Sequence, residues 1–413
     1  MNIFRATRRL IYLQANFRCG KKCMHMNGQN ISDKLGRQLQ ARIKAMGPLT
    51  IADYMREVLT NPTSGYYQHK SAFGPAGDFM TSPEINQMFG ELISVWFISE
   101  WQKIGAPAPF QIIELGPGNG SLMNDIIKVL VHFKIHKDVT IHLVEVSQRL
   151  ASVQAEKLNV NLQHEKSSAS TACYQRGRTN SGINVAWYSH IEDVPRSFSF
   201  IVANEFFDAL PIHKFEKTDK GWREILVDVH PEQENVFRYV QSRFPTPATM
   251  FIKPNEVRNH VELSISTVLI VQHMASRVEE DGGIVLLADY GHDGSGCDTF
   301  RAFRQHKLHD PLVDPGTADL TADVDFSAIR NAAEPKLITY GPTDQGEFLE
   351  RMGIKLRLNV LLEQCNDNEK TRLRSSYNML VDSDKMGKRF KFFAMFPAVL
   401  KEHLDKFPVA GFF

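Results

Sequence analysis

Residues 110 to 130 read FQIIELGPGNGSLMNDIIKVL, an apolar run that ends in closely spaced glycines and passes into an amphipathic segment. Phe110 to Leu115 is set off by Pro107 and Pro109, and its length and apolar content predict a strand buried on both faces of a parallel sheet. Beyond the glycines, Ser121 is placed to cap a helix whose Leu122, Ile126, Val129 and Leu130 share one face. The stretch therefore predicts strand, tight turn and helix. Gly116, Gly118 and Gly120 permit positive φ and close backbone approach to a ligand, and the free amides of the helix start face the same crevice.

Spacing narrows the ligand. A phosphate-cradling loop needs Lys and then Ser or Thr after its last glycine, but Gly120 is followed by Ser121 and Leu122. The dinucleotide fingerprint G-x-G-x-x-G is not met either, because the glycines are spaced G-x-G-x-G and Glu114 stands two places before the first. E-x-G-x-G-x-G resembles motif I of the Rossmann-like S-adenosylmethionine-dependent methyltransferases. That resemblance implies Glu114 beside the cofactor's amino group, with Gly116, Gly118 and Gly120 along its sugar and amino-acid portion. A glycine-rich turn with no ligand is the competing reading. The next strand, IHLVEVS at 141 to 147, ends in Glu145. A carboxylate at the tip of a second strand can accept both ribose hydroxyls.

The first thirty residues hold Arg5, Arg8, Arg9, Arg18, Lys21 and Lys22, and the first acid is Asp33. Such an arm, with Ile3, Phe4, Leu10, Ile11, Leu13 and Phe17 as an apolar side, predicts a mitochondrial presequence over 1–30. Removing those six charges from a net +1 leaves about −5, which excludes a charge-based case for nucleic acid. The 413 residues, 43% of them apolar, can bury a large core. No run approaches the roughly 18 apolar residues of a membrane span, so no membrane insertion is expected. The five cysteines form no C-x-x-C pair, and no metal site is expected.

Periodicity over 33–60 predicts two helices, and the loop carrying Asp78, Phe79, Thr81 and Ser82 leads into another from about Pro83. That loop reads either as a lid over a cofactor or as plain surface. The expected division is a helical cap at 31–100 and a core at 101–413, interrupted at about 166–184 and 213–260. The first interruption is polar and reads as a mobile insertion, the second alternates like an inserted β-hairpin. A strand at 198–203 ends in Asn204, Glu205 and Asp208, and GGIVLLADYG ends in Asp289 ahead of His292. Carboxyl ends of parallel strands line the ligand crevice, so these groups are the candidate chemical end of the site. Either acid alone could equally be a helix-start carboxylate satisfied by backbone amides. With KRFKFFAMFP at 388–397 as a final strand, the sheet has about seven strands.

Five blocks, GDFMTSPEINQMFGEL, IIELGPGNGSLMNDI, VANEFFDALPIHKF, LLADYG with downstream TFRAF, and DPGTADLTADVDF, resemble in their order the MidA-type family of mitochondrial protein arginine methyltransferases that assist complex I assembly. The resemblance implies a class I methyltransferase α/β fold, S-adenosylmethionine as cofactor and the mitochondrial matrix as location. It also implies symmetric dimethylation of an arginine in a complex I core subunit. It carries Glu114, Gly116, Gly118 and Gly120 to the cofactor and the Asn204 to Asp208 block to the substrate. A carboxylate among Glu205, Asp208 and Asp78 would orient the guanidinium, with Asp289 or His292 accepting the released proton. A cofactor-binding assembly chaperone without catalysis is the alternative. A nicotinamide enzyme is disfavoured by the glycine spacing, and a DNA base methylase by N-E-F-F where N-P-P-Y would stand. Oligomeric state is left open.

Overall fold

The computed structural model describes residues 28–69, 80–163, 172–233 and 236–413; the basic arm and Asp78 lie outside the described residues. Helices α1 (Gly28–Met46) and α2 (Ile51–Thr60) flank the short strand β1 (Leu49–Thr50), as the periodicity predicts. Thr50 starts α2 by accepting the Asp53 amide at 3.0 Å. Short helices α3 (Tyr66–His69) and α4 (Ser82–Ile85) precede α5 (Gln87–Lys103), which Asn86 caps through the Met88 amide at 3.0 Å.

Strands and helices then alternate as β2 (Phe110–Leu115), α6 (Ser121–His132), β3 (Val139–Val144), α7 (Gln148–Lys157), β4 (Val160–Leu162), β5 (Cys173–Thr179), β6 (Asn184–Tyr188) and β7 (Ser199–Asn204). The insert contributes β8 (His213–Thr218), β9 (Gly221–Val229), β10 (Phe237–Gln241) and β11 (His260–Leu263). The core resumes with α8 (Ile265–Asp281), β12 (Gly283–His292), β13 (Arg301–Arg304), β14 (Lys307–His309), β15 (Asp319–Thr321), β16 (Val324–Asp325) and β17 (Leu337–Asp344). Further helices lead to the last strand, β18 (Phe390–Pro397).

The main sheet has the order β17-β18-β12-β7-β2-β3-β6-β5-β4, with β16 beside β12. The seven strands from β17 to β6 make up the expected sheet. Of these, β6, β3, β2, β7 and β12 are parallel, and β18 runs antiparallel between β12 and β17. Antiparallel β5 and β4 extend the edge. Part of the polar stretch expected as a mobile insertion is therefore strand. Most of β5 is only half-buried, so it never needed the apolar alternation that would have revealed it. Residues 164–171 of that region lie outside the described residues.

From β2 the chain steps to β3 and β6 on one side and later to β7 and β12 on the other. The crevice at the carboxyl ends of β2 and β7 is thus the topological switch point, where open α/β sheets bind ligands. One sheet face packs α5 and α6 through Phe89, Trp96, Leu122 and Ile126. The other packs α8 through Val271, Met274 and Val278. Residues 213–260 form more than a hairpin: β1-β9-β8-β11, with β10 on β9, make a separate five-stranded sheet. Strand β1 joins it by pairing Leu49 with Val227 and Thr50 with Leu226. Helices α1 and α2 pack on that sheet, through Leu39 and Tyr54 against Val227 and Phe237, whereas α5 belongs to the main core. Among the described residues no helix is long and apolar enough to cross a membrane.

Candidate active site

The turn after β2 is left-handed at each glycine, with φ of +62° at Gly116, +54° at Gly118 and +79° at Gly120. At Gly116 a Cβ would come within 2.8 Å of the Phe206 ring, so the turn touches the loop after β7. Gly120, not Ser121, occupies the N-cap of α6. The Ser121 hydroxyl instead donates to Glu84 Oε1, and Lys157 Nζ donates to Ser121 Oγ, strapping α4 and α7 to the turn.

Glu114 is 3% exposed, and its Oε2 has no hydrogen-bond partner. Burial, and then the neighbouring Glu145, push its carboxyl up to about 8. Glu145 Oε1 accepts the Ser147 amide at 2.7 Å and Oε2 accepts Gln154 Nε2 at 3.0 Å. Burial still raises it to about 7, against the pull of those bonds. Gln154 Nε2 also donates to Gly118 O at 2.8 Å, and its Oε1 accepts the Trp187 indole at 2.9 Å. One side chain therefore ties the glycine turn to the tip of β3. Gln154 falls on the buried face of α7 with Leu150 and Ala151; an amide at an apolar offset was the signal that could have found it.

At the other wall Glu205 has φ +49°, a strained conformation for a non-glycine residue. Asp289 holds it there, its Oδ2 accepting the amides of Phe206 at 3.1 Å and Phe207 at 3.0 Å, and its Oδ1 that of Tyr290 at 2.9 Å. Glu205 Oε1 accepts the Ser82 amide at 2.8 Å and Asn204 Nδ2 at 3.2 Å. Its Oε2, like Asn204 Oδ1, is buried without a partner. Burial raises Glu205 to about 8, the Ser82 amide opposing and Asp208 adding.

Asp208 is placed differently from its expected role. Its Oδ2 accepts the Tyr290 hydroxyl and Thr321 Oγ1, the latter at 3.0 Å, its Oδ1 is buried without a partner, and it does not line the pocket at the turn. Burial raises its carboxyl, and raises Asp289 well above the carboxylate range. Asp289 is thus a backbone clamp rather than a free proton acceptor. Neither Asp289 nor His292 lines the pocket at the turn. That pocket is walled by Glu114, Gly116, Gly118, Asn204 and Glu205, with Thr81, Pro83 and Glu84. A larger cavity of about 510 Å³ lies against β3, β5 and β6, lined by His142, Cys173 and Arg176 among others. Its walls are strand bodies rather than strand tips, and it holds none of the expected site residues.

The model of a family of S-adenosyl-L-methionine-dependent methyltransferases matches residues 92–343, which span both walls of this pocket. The chain belongs to that family. S-Adenosylmethionine is its cofactor, and methyl transfer its chemistry. This methyltransferase is 50% identical over 385 residues to the Drosophila melanogaster "Protein arginine methyltransferase NDUFAF7 homolog, mitochondrial", covering 92% of this chain and 88% of the relative. It is 48% identical over 365 residues to the Homo sapiens "Protein arginine methyltransferase NDUFAF7, mitochondrial", covering 87% and 83%. A solved structure of a "likely methyl transferase" from Burkholderia thailandensis, bound to S-adenosyl-homocysteine, superposes with a TM-score of 0.72 at 23% identity over 92% of this chain and 96% of that one. At that identity the likeness bears on the fold. The mitochondrial location expected for the methyltransferase agrees with the names of its relatives.

Proposed function

We propose that this methyltransferase transfers the methyl group to a guanidinium nitrogen of a protein arginine, giving symmetric dimethylation of a complex I core subunit in the mitochondrial matrix. The observation that carries the reading is the pair of unpartnered acceptors Glu205 Oε2 and Asn204 Oδ1 at the pocket wall. A guanidinium has donors only, in a planar fork, and suits two acceptors side by side. The names of the mitochondrial relatives support an arginine target.

When bound, S-adenosylmethionine supplies an electrophilic methyl on a sulfonium. Glu114, with its unpartnered Oε2 beside the positive-φ turn, suits the amino cation, and Glu145 at the β3 tip suits the ribose hydroxyls. A bound guanidinium would favour the ionised form of Glu205, and that carboxylate would orient one nitrogen and draw positive charge away from it, so that catalysis is positioning plus charge management. As the N–C bond forms and the C–S bond breaks, one guanidinium proton must leave. Glu205, raised to about 8, is suited to take it near neutral pH. Asp208 and Asp289 would act by holding the loop, and Asp78 lies outside the described residues.

The test is mass spectrometry of complex I core subunits from cells with and without the protein. A dimethylated arginine lost in its absence and restored by wild type, but not by Glu205→Gln, is expected. Assembly restored equally by both, with no methylated subunit in either, would instead support a non-catalytic chaperone.

A further inference from the structure

We propose that the free end of the inserted sheet is a docking surface for an anionic lipid bilayer. The register gathers this end from three stretches. Strands β8 and β9 turn between Thr218 and Gly221. The Ser242 amide bonds to Glu224 O at 2.8 Å, which carries the following residues toward Trp222, and the Lys217 amide bonds to Asn259 O at 2.8 Å, which brings in the chain before β11. Around this end Phe244, Met250, Phe251 and Val257 are 76%, 80%, 52% and 88% exposed. The core does not need them. Beneath, Ala248 and Ile252 already pack with Phe215 and Trp222.

Charge selects the occupant. Residues 242–255 contain Arg243 and Lys253 and no acid, and the β8–β9 turn adds Lys217 and Lys220 against Asp219. The nearby Glu256 is already paired with Arg258 at 2.7 Å. Apolar side chains projecting from the short 3-10 helix Pro247–Phe251 and from the chain on either side of it, rimmed by basic ones, suit insertion among anionic headgroups. A protein interface of this size would instead present a packed, shape-complementary centre.

The experiment uses the full chain carrying the Phe251→Trp reporter, with vesicles of phosphatidylcholine alone or mixed with phosphatidylglycerol, some with brominated acyl chains. Reporter emission, read as the difference from wild type, should shift to the blue and be quenched by brominated lipid only when phosphatidylglycerol is present. Adding Arg243→Glu and Lys253→Glu should weaken that response by roughly thirtyfold, with an unchanged thermal midpoint showing that the fold is intact. Co-sedimentation with vesicles but no quenching would overturn the proposal, because the basic N-terminal arm can attract anionic lipid by itself. So would an absence of vesicle binding. A blue shift without vesicles that grows with protein concentration, with a doubled mass by light scattering, would assign the face to a second copy and overturn it as well.

Discussion

On the β2–β3 side of the crevice, Glu114 and Glu145 stand at strand tips, and the scaffolding is delegated to a neutral residue, Gln154. On the β7–β12 side the scaffolding is itself carboxylate. Asp289 gathers backbone amides and Asp208 gathers hydroxyls, which leaves Glu205 as the acid facing the pocket. The difference teaches that a buried acid near a strand tip is not by itself a site residue. What separates the two roles is whether the acid lines the pocket, as Glu114 and Glu205 do and Asp208 and Asp289 do not.

The largest test of this contrast is Gly118→Val. A β-branched residue at φ +54° is strained, and its side chain would occupy the turn, so titration calorimetry should detect no S-adenosylmethionine binding. Binding kept by the variant would move the cofactor away from this turn. Next comes Glu205→Gln, which keeps the shape and removes the charge. Transfer by the purified enzyme should fall about 10² to 10⁴-fold with cofactor affinity nearly unchanged; loss of both would erase the distinction between the walls.

Asp289→Ala should do the reverse, acting first on the fold. Stranding the buried amides of Phe206 and Phe207 should cost about 1–3 kcal/mol in a urea titration, and activity should fall by less than for Glu205→Gln. The smallest effect is on pH dependence. Glu205 in the folded chain titrates at about 8, above its ordinary 4.5, so the fold favours the protonated form. Stability is therefore lost as pH rises from 4.5 through about 8. Glu205→Gln removes that loss, and its thermal midpoint should exceed that of wild type above about pH 8 and converge with it near pH 5. Parallel curves would mean that Glu205 is not held protonated.

Residues 110–130 were legible because every determinant there is local: an apolar run, glycines at required φ, and a helical face beyond. The polar groups ending β3, β7 and β12 were legible for the same reason, since a strand end is visible in the chain. Which of those acids faces the pocket was not, because it depends on Tyr290 and Thr321, residues 82 and 113 positions from Asp208. The insert reads as a hairpin in sequence although its four strands join β1 in a five-stranded sheet, because β1 pairs with β9 from far away in the chain and a two-residue strand has no period to detect.

The placement of β18 has a consequence for how the protein is made. The strand at 390–397 lies between β12 and β17 and fills the gap they would otherwise leave. Until it arrives, both neighbours present open edges of the kind that pair with other chains. The sheet therefore cannot close while the chain is still emerging from a ribosome or being threaded into an organelle, and its open edges stay available for mispairing until the last strand arrives. A premature stop shortly before residue 390 would yield an aggregation-prone chain destined for degradation, even though the glycine turn, Gln154 and Glu205 would all be present.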